Sequence, residues 1–156
     1  VIAPRHPERR DSIIKQLGLD PDTIALRSRN DTVNEQTRVY LLDTIGELMQ
    51  WFAPEKLIIM AGSFIHRGGH NILEPAHFGK AIIFGPNLES FVDESELLVS
   101  KGAALQVQSF EELGKTIEVL LDNKASRIEL EDNTIKTLQP FASIVNDYAD
   151  VIDKTI

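Results

Sequence analysis

The stretch Met60–Asn87, MAGSFIHRGGHNILEPAHFGKAIIFGPN, holds three of the four histidines, five of the nine glycines and a single acid, Glu74. A plain connection between two apolar runs needs far less polar and backbone-permissive chemistry. Two further clusters share this character. Pro4-Arg5-His6 follows the apolar opening Val1–Ala3, and Thr44-Ile45-Gly46-Glu47 follows the run that ends at Leu42. An arginine such as Arg5 can take a phosphate or carboxylate bidentately. A glycine at Gly46 lets an anion approach free amides at a helix start. Glu74, set against Pro75, offers a carboxylate to sugar hydroxyls.

Plainer readings compete at each cluster. Thr44 and Glu47 are spaced as a capping box, in which hydroxyl and carboxylate satisfy orphan amides reciprocally. Arg5 can be a solvated surface arginine. Asn71 can be an N-cap with Glu74 as its partner. Against that, Pro75 biases Glu74 toward an extended backbone and suits the first helical position, which leaves Glu74 at a loop–helix junction. Gly68-Gly69 is a generic turn signal. His66, His70 and His77 match no usual zinc spacing, so no metal site is expected. His66 and His70 read as loop-lining and His77 as packing on its helix. No Ser-His-Asp order or paired-carboxylate site stands out, Trp51 reads as core or interface, and Asp93-Glu94 and Glu111-Glu112 read as solvated helix starts.

These residues need elements to position them. Val1–Ala3, Thr23–Leu26, Arg38–Leu42, Leu57–Ala61, Ala81–Phe84 and Ala103–Val107 read as strands. Helices are expected from His6-Pro7 to Gly18, around Glu47–Phe52, to Phe78 with Gly79 as its stop, and from after Gly85-Pro86 to about Ser100. From Phe110 onward the pattern is helical, with breaks near Asn123 and at Pro140. Strands apolar on both faces that alternate with helices mark a parallel sheet covered on both sides. The expectation is one α/β domain over residues 1–156, a Rossmann-like doubly wound parallel sheet. A helical tail from about 124 to 156 would lie outside the sheet or against a neighbouring domain. In such sheets ligands sit beyond the carboxyl ends of the strands, where all three clusters fall.

The bulk numbers agree. The 156 residues are 42% hydrophobic, enough for a core, and carry a formal charge of −8. That charge argues against nucleic acid as a partner. With no cysteine there is no disulfide, thiolate metal site or cysteine nucleophile. No apolar run approaches the roughly 20 residues of a membrane span, and no signal peptide appears. The opening VIAPRHP reads as a strand entered at its last residues, so the chain is expected to be a piece of something longer.

APRHPER, DTIGEL (Asp43–Leu48) and the run from Ala61-Gly62-Ser63 to Pro86, of the pattern GGSxxxRGGHNxLEPAxFGKxxxFGP, resemble the carboxyl-terminal half of bacterial Kdo transferases. The resemblance covers nearly the whole chain up to the helical tail, and the combination of motifs is specific. Ala61 stands where that family often has glycine. These enzymes transfer 3-deoxy-D-manno-octulosonic acid (Kdo) from CMP-Kdo to a lipid A precursor. The resemblance implies the donor-binding half of a GT-B glycosyltransferase of lipopolysaccharide biosynthesis, at the cytoplasmic face of the bacterial inner membrane. It implies CMP contacts at Pro4 and Arg5, at Ile45, Gly46 and Glu47, and at Asn71, Ile72, Leu73 and Glu74. Ser63, Gly68, Gly69 and His70 are possible loop contacts. No metal or other cofactor is implied. The amino-terminal acceptor domain, membrane anchor and catalytic base would lie outside this chain, so no residue of it is assigned as catalytic and the chain alone is expected to be inactive. Rival readings are another GT-B nucleotide-sugar enzyme, such as a UDP-sugar transferase or 2-epimerase, and a non-catalytic nucleotide-binding docking domain.

Overall fold

The computed structural model describes residues 1–66 and 71–141. The chain forms two compact units, Val1–Trp51 and Phe52–Ile156.

In the first unit, helix α1 (Arg10–Leu17) follows a 3-10 turn at Pro7–Arg9 and ends at Gly18, whose φ of +59° is the left-handed stop. Strands β1 (Ile24–Leu26) and β2 (Val39–Leu41) pair in parallel. Ile2 adds a single parallel bridge to the other side of β2. Its amide donates to the Tyr40 carbonyl and its carbonyl accepts from the Leu42 amide, each at 2.9 Å. The strand expected at Val1–Ala3 thus reduces to one residue. The next amide due to pair belongs to Pro4, which has no N–H, so the ladder stops there. Ile13, Ile14 and Leu17 pack from α1 onto Ile24, Leu26 and Leu41. Trp51, half-buried, stacks on Tyr40 with ring centroids 4.8 Å apart.

The second unit is built on β3 (Leu57–Met60), β4 (Ala81–Phe84) and β5 (Ala104–Gln106), parallel and in that order. Every residue of β4 is buried, and successive residues serve opposite faces. Ile82 and Phe84 join a core with Ile72, Ala76 and Leu98, while Ala81 and Ile83 join one with Val107, Leu120 and Leu130. This period of two covers both faces of the sheet, as the continuous apolar run requires. Helix α2 (Leu48–Phe52) precedes β3, α3 (Leu73–His77) lies in the crossover to β4, and α4 (Val92–Ser100) in the crossover to β5. Helices α5 (Phe110–Asp122) and α6 (Lys124–Leu138) follow, with the break at Asn123 capping α6 through its side chain.

The tail was expected outside the sheet or against a neighbouring domain. Its described part, α6, packs on the sheet through the buried Arg127, Leu130 and Thr134 and leaves most of its other residues exposed or half-buried. The fully buried Thr134 hydroxyl lies 2.7 Å from the carbonyls of Leu130 and Ala103 and 3.3 Å from that of Lys80, just before β4 and β5 begin. A side chain on Gly79 would meet Ile135 at 2.6 Å. The buried Arg127 donates to the Leu120 carbonyl at 2.6 Å, a cation at the end of α5. Acidic composition had masked these buried positions. Among the described residues no helix is long and apolar enough to cross a membrane.

Candidate functional site

In the first unit the chain leaves the sheet at Pro4-Arg5, at Arg27-Ser28 after β1, and at Asp43–Glu47 after β2. Parallel pairing puts all three exits at the same carboxyl edge. Arg5 is exposed there, and no ion pair engages it among the described residues. Gly46 has φ +86° with open space around it, so conformation and not crowding demands glycine. Ile45 beside it is 86% exposed. Among the described residues no protein acceptor takes the Ile45, Gly46 or Glu47 amides.

The Glu47 carboxylate is already engaged. Arg27 Nη2 donates to its Oε1 at 2.7 Å and Nε to its Oε2 at 3.0 Å. The Thr44 hydroxyl donates to Oε2 at 2.5 Å. The reciprocal capping box is therefore not the one formed, because Thr44 serves the carboxylate instead of an amide. The hydrogen bonds from Arg27 and Thr44 hold the Glu47 carboxyl below its ordinary range, and Arg27 is raised in turn. A second cluster sits behind it. Burial pushes the Asp43 carboxyl up, but the Ser28 hydroxyl at 2.6 Å and amide at 2.8 Å, with Arg10 at 3.6 Å, outweigh it and leave Asp43 lowered. Arg27, Ser28, Arg10 and Asp43 were not picked out as site residues. The polar loop after a strand was the available signal, since loop residues at a carboxyl edge share the ligand side.

In the second unit, β3 and β4 run parallel, so the crossover that carries α3 leaves the carboxyl end of β3 and returns to the amino end of β4. Asn71 Oδ1 accepts the Leu73 amide at 3.0 Å, and Asn71 Nδ2 donates to Glu74 Oε1 at 3.4 Å. Asn71 thus closes an Asx turn onto the first amide of α3, one residue ahead of the N-cap Ile72, and Glu74 takes one long hydrogen bond from it. Helix α3 begins at Leu73, two residues before Pro75. Glu74 is therefore helical and not at an extended junction. First-turn amides have no acceptor four residues back, so proline is tolerated at the third position and the pre-proline bias is overruled. Leu73 and Glu74 are half-buried. Ile72 is fully buried in the core, which leaves only its backbone for a ligand.

Ser63 was a possible loop contact. Its side chain is scaffold, 0% exposed, with the hydroxyl donating to the Met60 carbonyl and accepting the Gly85 amide at 2.6 Å. Gly68, Gly69 and His70 lie outside the described residues. His66 is exposed, 3.3 Å from Glu89, and His77 Nδ1 donates to the Leu73 carbonyl at 2.8 Å.

No family model matches the chain. It is 36% identical to the 3-deoxy-D-manno-octulosonic acid transferase of Rickettsia bellii, over 99% of this chain and 37% of that protein. The enzyme of the same name from Haemophilus influenzae is 35% identical, over 83% of this chain and 31% of that one. The chain spans roughly a third of the length of these curated relatives. The crystal structure of the C-terminal CMP-Kdo binding domain of WaaA from Acinetobacter baumannii matches with a TM-score of 0.80 at 30% identity, covering 87% of this chain and 71% of that one. The carboxyl-edge clusters, the parallel α/β architecture and these likenesses lead to one conclusion: the chain belongs to the 3-deoxy-D-manno-octulosonic acid transferase family, matching its carboxyl-terminal domain.

Proposed function

We propose that this chain is the donor-binding part of a Kdo transferase. It binds CMP-Kdo, and the whole protein moves Kdo to a lipid A precursor at the cytoplasmic face of the bacterial inner membrane. The observation that carries this reading is the fold shared with the CMP-Kdo binding domain of WaaA, within which this chain sets its polar clusters at strand exits. In the first unit the nucleotide contacts are Pro4, Arg5, Ile45, Gly46 and Glu47; in the second they are Asn71 to Glu74. In transfer, an acceptor hydroxyl forms a new bond to the Kdo anomeric carbon as the bond to CMP breaks, and the electron pair leaves on the phosphate. Arg5 and the amides of the Gly46-Glu47 turn stabilise that growing negative charge, so no metal is invoked. The base that takes the hydroxyl proton is assigned to sequence outside this chain.

A melting experiment with a nucleotide panel tests the reading. A ligand at a hundred times its Kd stabilises by about 2.7 kcal/mol, so CMP should raise Tm clearly and more than UMP. A preference for UMP would point to a UDP-sugar enzyme. No response to any nucleotide would make this a docking domain and end the proposal.

A further inference from the structure

Arg27 is the first residue beyond β1, and its guanidinium is committed on every edge. Nε and Nη2 grip Glu47, and Nη1 donates to Asn30 Oδ1 at 2.7 Å. Asn30 itself has a left-handed φ of +54°, which turns its side chain back toward β1's exit. Thr44 closes on the same carboxylate from the other side. Two side chains, Arg27 and Thr44, thus converge on one carboxylate, twenty residues from Arg27 and adjacent to Gly46, while Asn30 braces the guanidinium. Glycine at Gly46 gives that turn its shape but also the freedom to leave it. Arg27 and Thr44 remove that freedom.

We infer that Arg27 is a positioning residue for nucleotide binding, holding the Thr44–Glu47 turn in its binding shape and cancelling the Glu47 charge beside the anionic ligand. This rests on the donor-binding reading given above. The pair is about one-third exposed, 33% for Arg27 and 27% for Glu47. Such pairs contribute little to global stability. The expense of a planar fork locked by three hydrogen bonds on two partners is better explained by what it orders. A lysine would keep the charge and lose the fork.

The test measures CMP affinity, Tm and the Glu47 carboxyl titration by NMR in the unaltered chain, Arg27→Gln and Arg27→Lys. Arg27→Gln should weaken CMP about tenfold, the loss of one charge-assisted interaction. Its Tm should change little, and Glu47 should titrate closer to the ordinary range. Arg27→Lys should recover part of the affinity. If a folded Arg27 variant binds CMP as tightly as the unaltered chain, Arg27 has no such role, and the donor-binding reading survives. A fall in affinity that simply tracks a falling Tm would make Arg27 structural, again sparing that reading. If Arg27→Gln does not fold, Arg27→Lys alone decides, since full affinity there overturns the role of the fork. Failure of the unaltered chain to bind CMP overturns both proposals.

Discussion

The Ser63 hydroxyl accepts the Gly85 amide at 2.6 Å and donates to the Met60 carbonyl, so one buried side chain joins the exits of β3 and β4. The Ser63 carbonyl also accepts from the Asn87 amide at 2.9 Å and from Asn87 Nδ2 at 3.2 Å. Ser63→Ala would leave the Gly85 amide and one Met60 carbonyl lone pair buried without their partner. Unsatisfied buried groups of this kind cost about 1–3 kcal/mol. Chemical denaturation should show that loss, with the relative affinities for CMP and UMP unchanged. Gly85→Ala should also destabilise, since a Cβ there lies 2.8 Å from the Ser63 carbonyl oxygen. The two losses should not add, because both disrupt one contact.

Arg5 is exposed at the carboxyl edge of the first unit and engaged by no ion pair among the described residues. Arg5→Ala should weaken CMP about 10- to 100-fold by loss of a charge-assisted hydrogen bond. Cytidine, which lacks the phosphate, should be affected far less. Calorimetric titration of both ligands checks this, and equal weakening would take Arg5 away from the phosphate.

Among the described residues Glu74 accepts one long hydrogen bond, from Asn71, and its carboxylate is assigned to the vicinal ribose hydroxyls. Glu74→Gln should weaken CMP and have less effect on a dideoxyribose analogue. The cycle of substitution against analogue isolates the hydroxyl contribution. Asn71→Ala is the structural control. It removes the hydrogen bond to the Leu73 amide and should cost about 1 kcal/mol of stability. A Glu74→Gln variant that melted several degrees lower with no change in CMP binding would assign Glu74 to the helix start instead.

Asp43 and Glu47 both have carboxyls held below their ordinary values. A folded-state pKa below the unfolded one adds stability that is present above the unfolded value, about pH 4, and lost as pH falls through the folded one. Acid titration monitored by circular dichroism should therefore show stability declining from about pH 4 downward. Asp43→Asn should be destabilised at pH 7 by about 1–3 kcal/mol. Its difference from the unaltered chain should shrink as pH drops below 4, and a constant difference would deny the linkage.

CMP binding should have the same Kd with chelator and with magnesium, since the donors assigned to the nucleotide are amides and Arg5. Titration in both buffers checks it. A magnesium requirement would demand ligands other than those assigned.

Much of the local structure was legible in the sequence because its causes are local. Ala81–Phe84 is apolar at every position, which only a strand buried on both faces needs, and it is β4 residue for residue. Gly18 and Gly79 stop helices because each takes a left-handed φ, and Asn123 breaks the last helical run because its side chain caps the next helix. The alternation of such runs implied parallel pairing, and parallel pairing put the polar clusters at carboxyl edges. What the tertiary structure decided is which side chains those clusters keep for themselves. Ser28 finds Asp43 across 15 residues, Arg27 finds Glu47 across 20, Ser63 finds Gly85 across 22 and Thr134 finds Lys80 across 54. Periodicity assigns a residue to a face, but it carries no distance to a residue on another element. The helical start of Glu74, the scaffold role of Ser63 and the grip of Arg27 on Glu47 all depend on such distances, and only the folded backbone sets them.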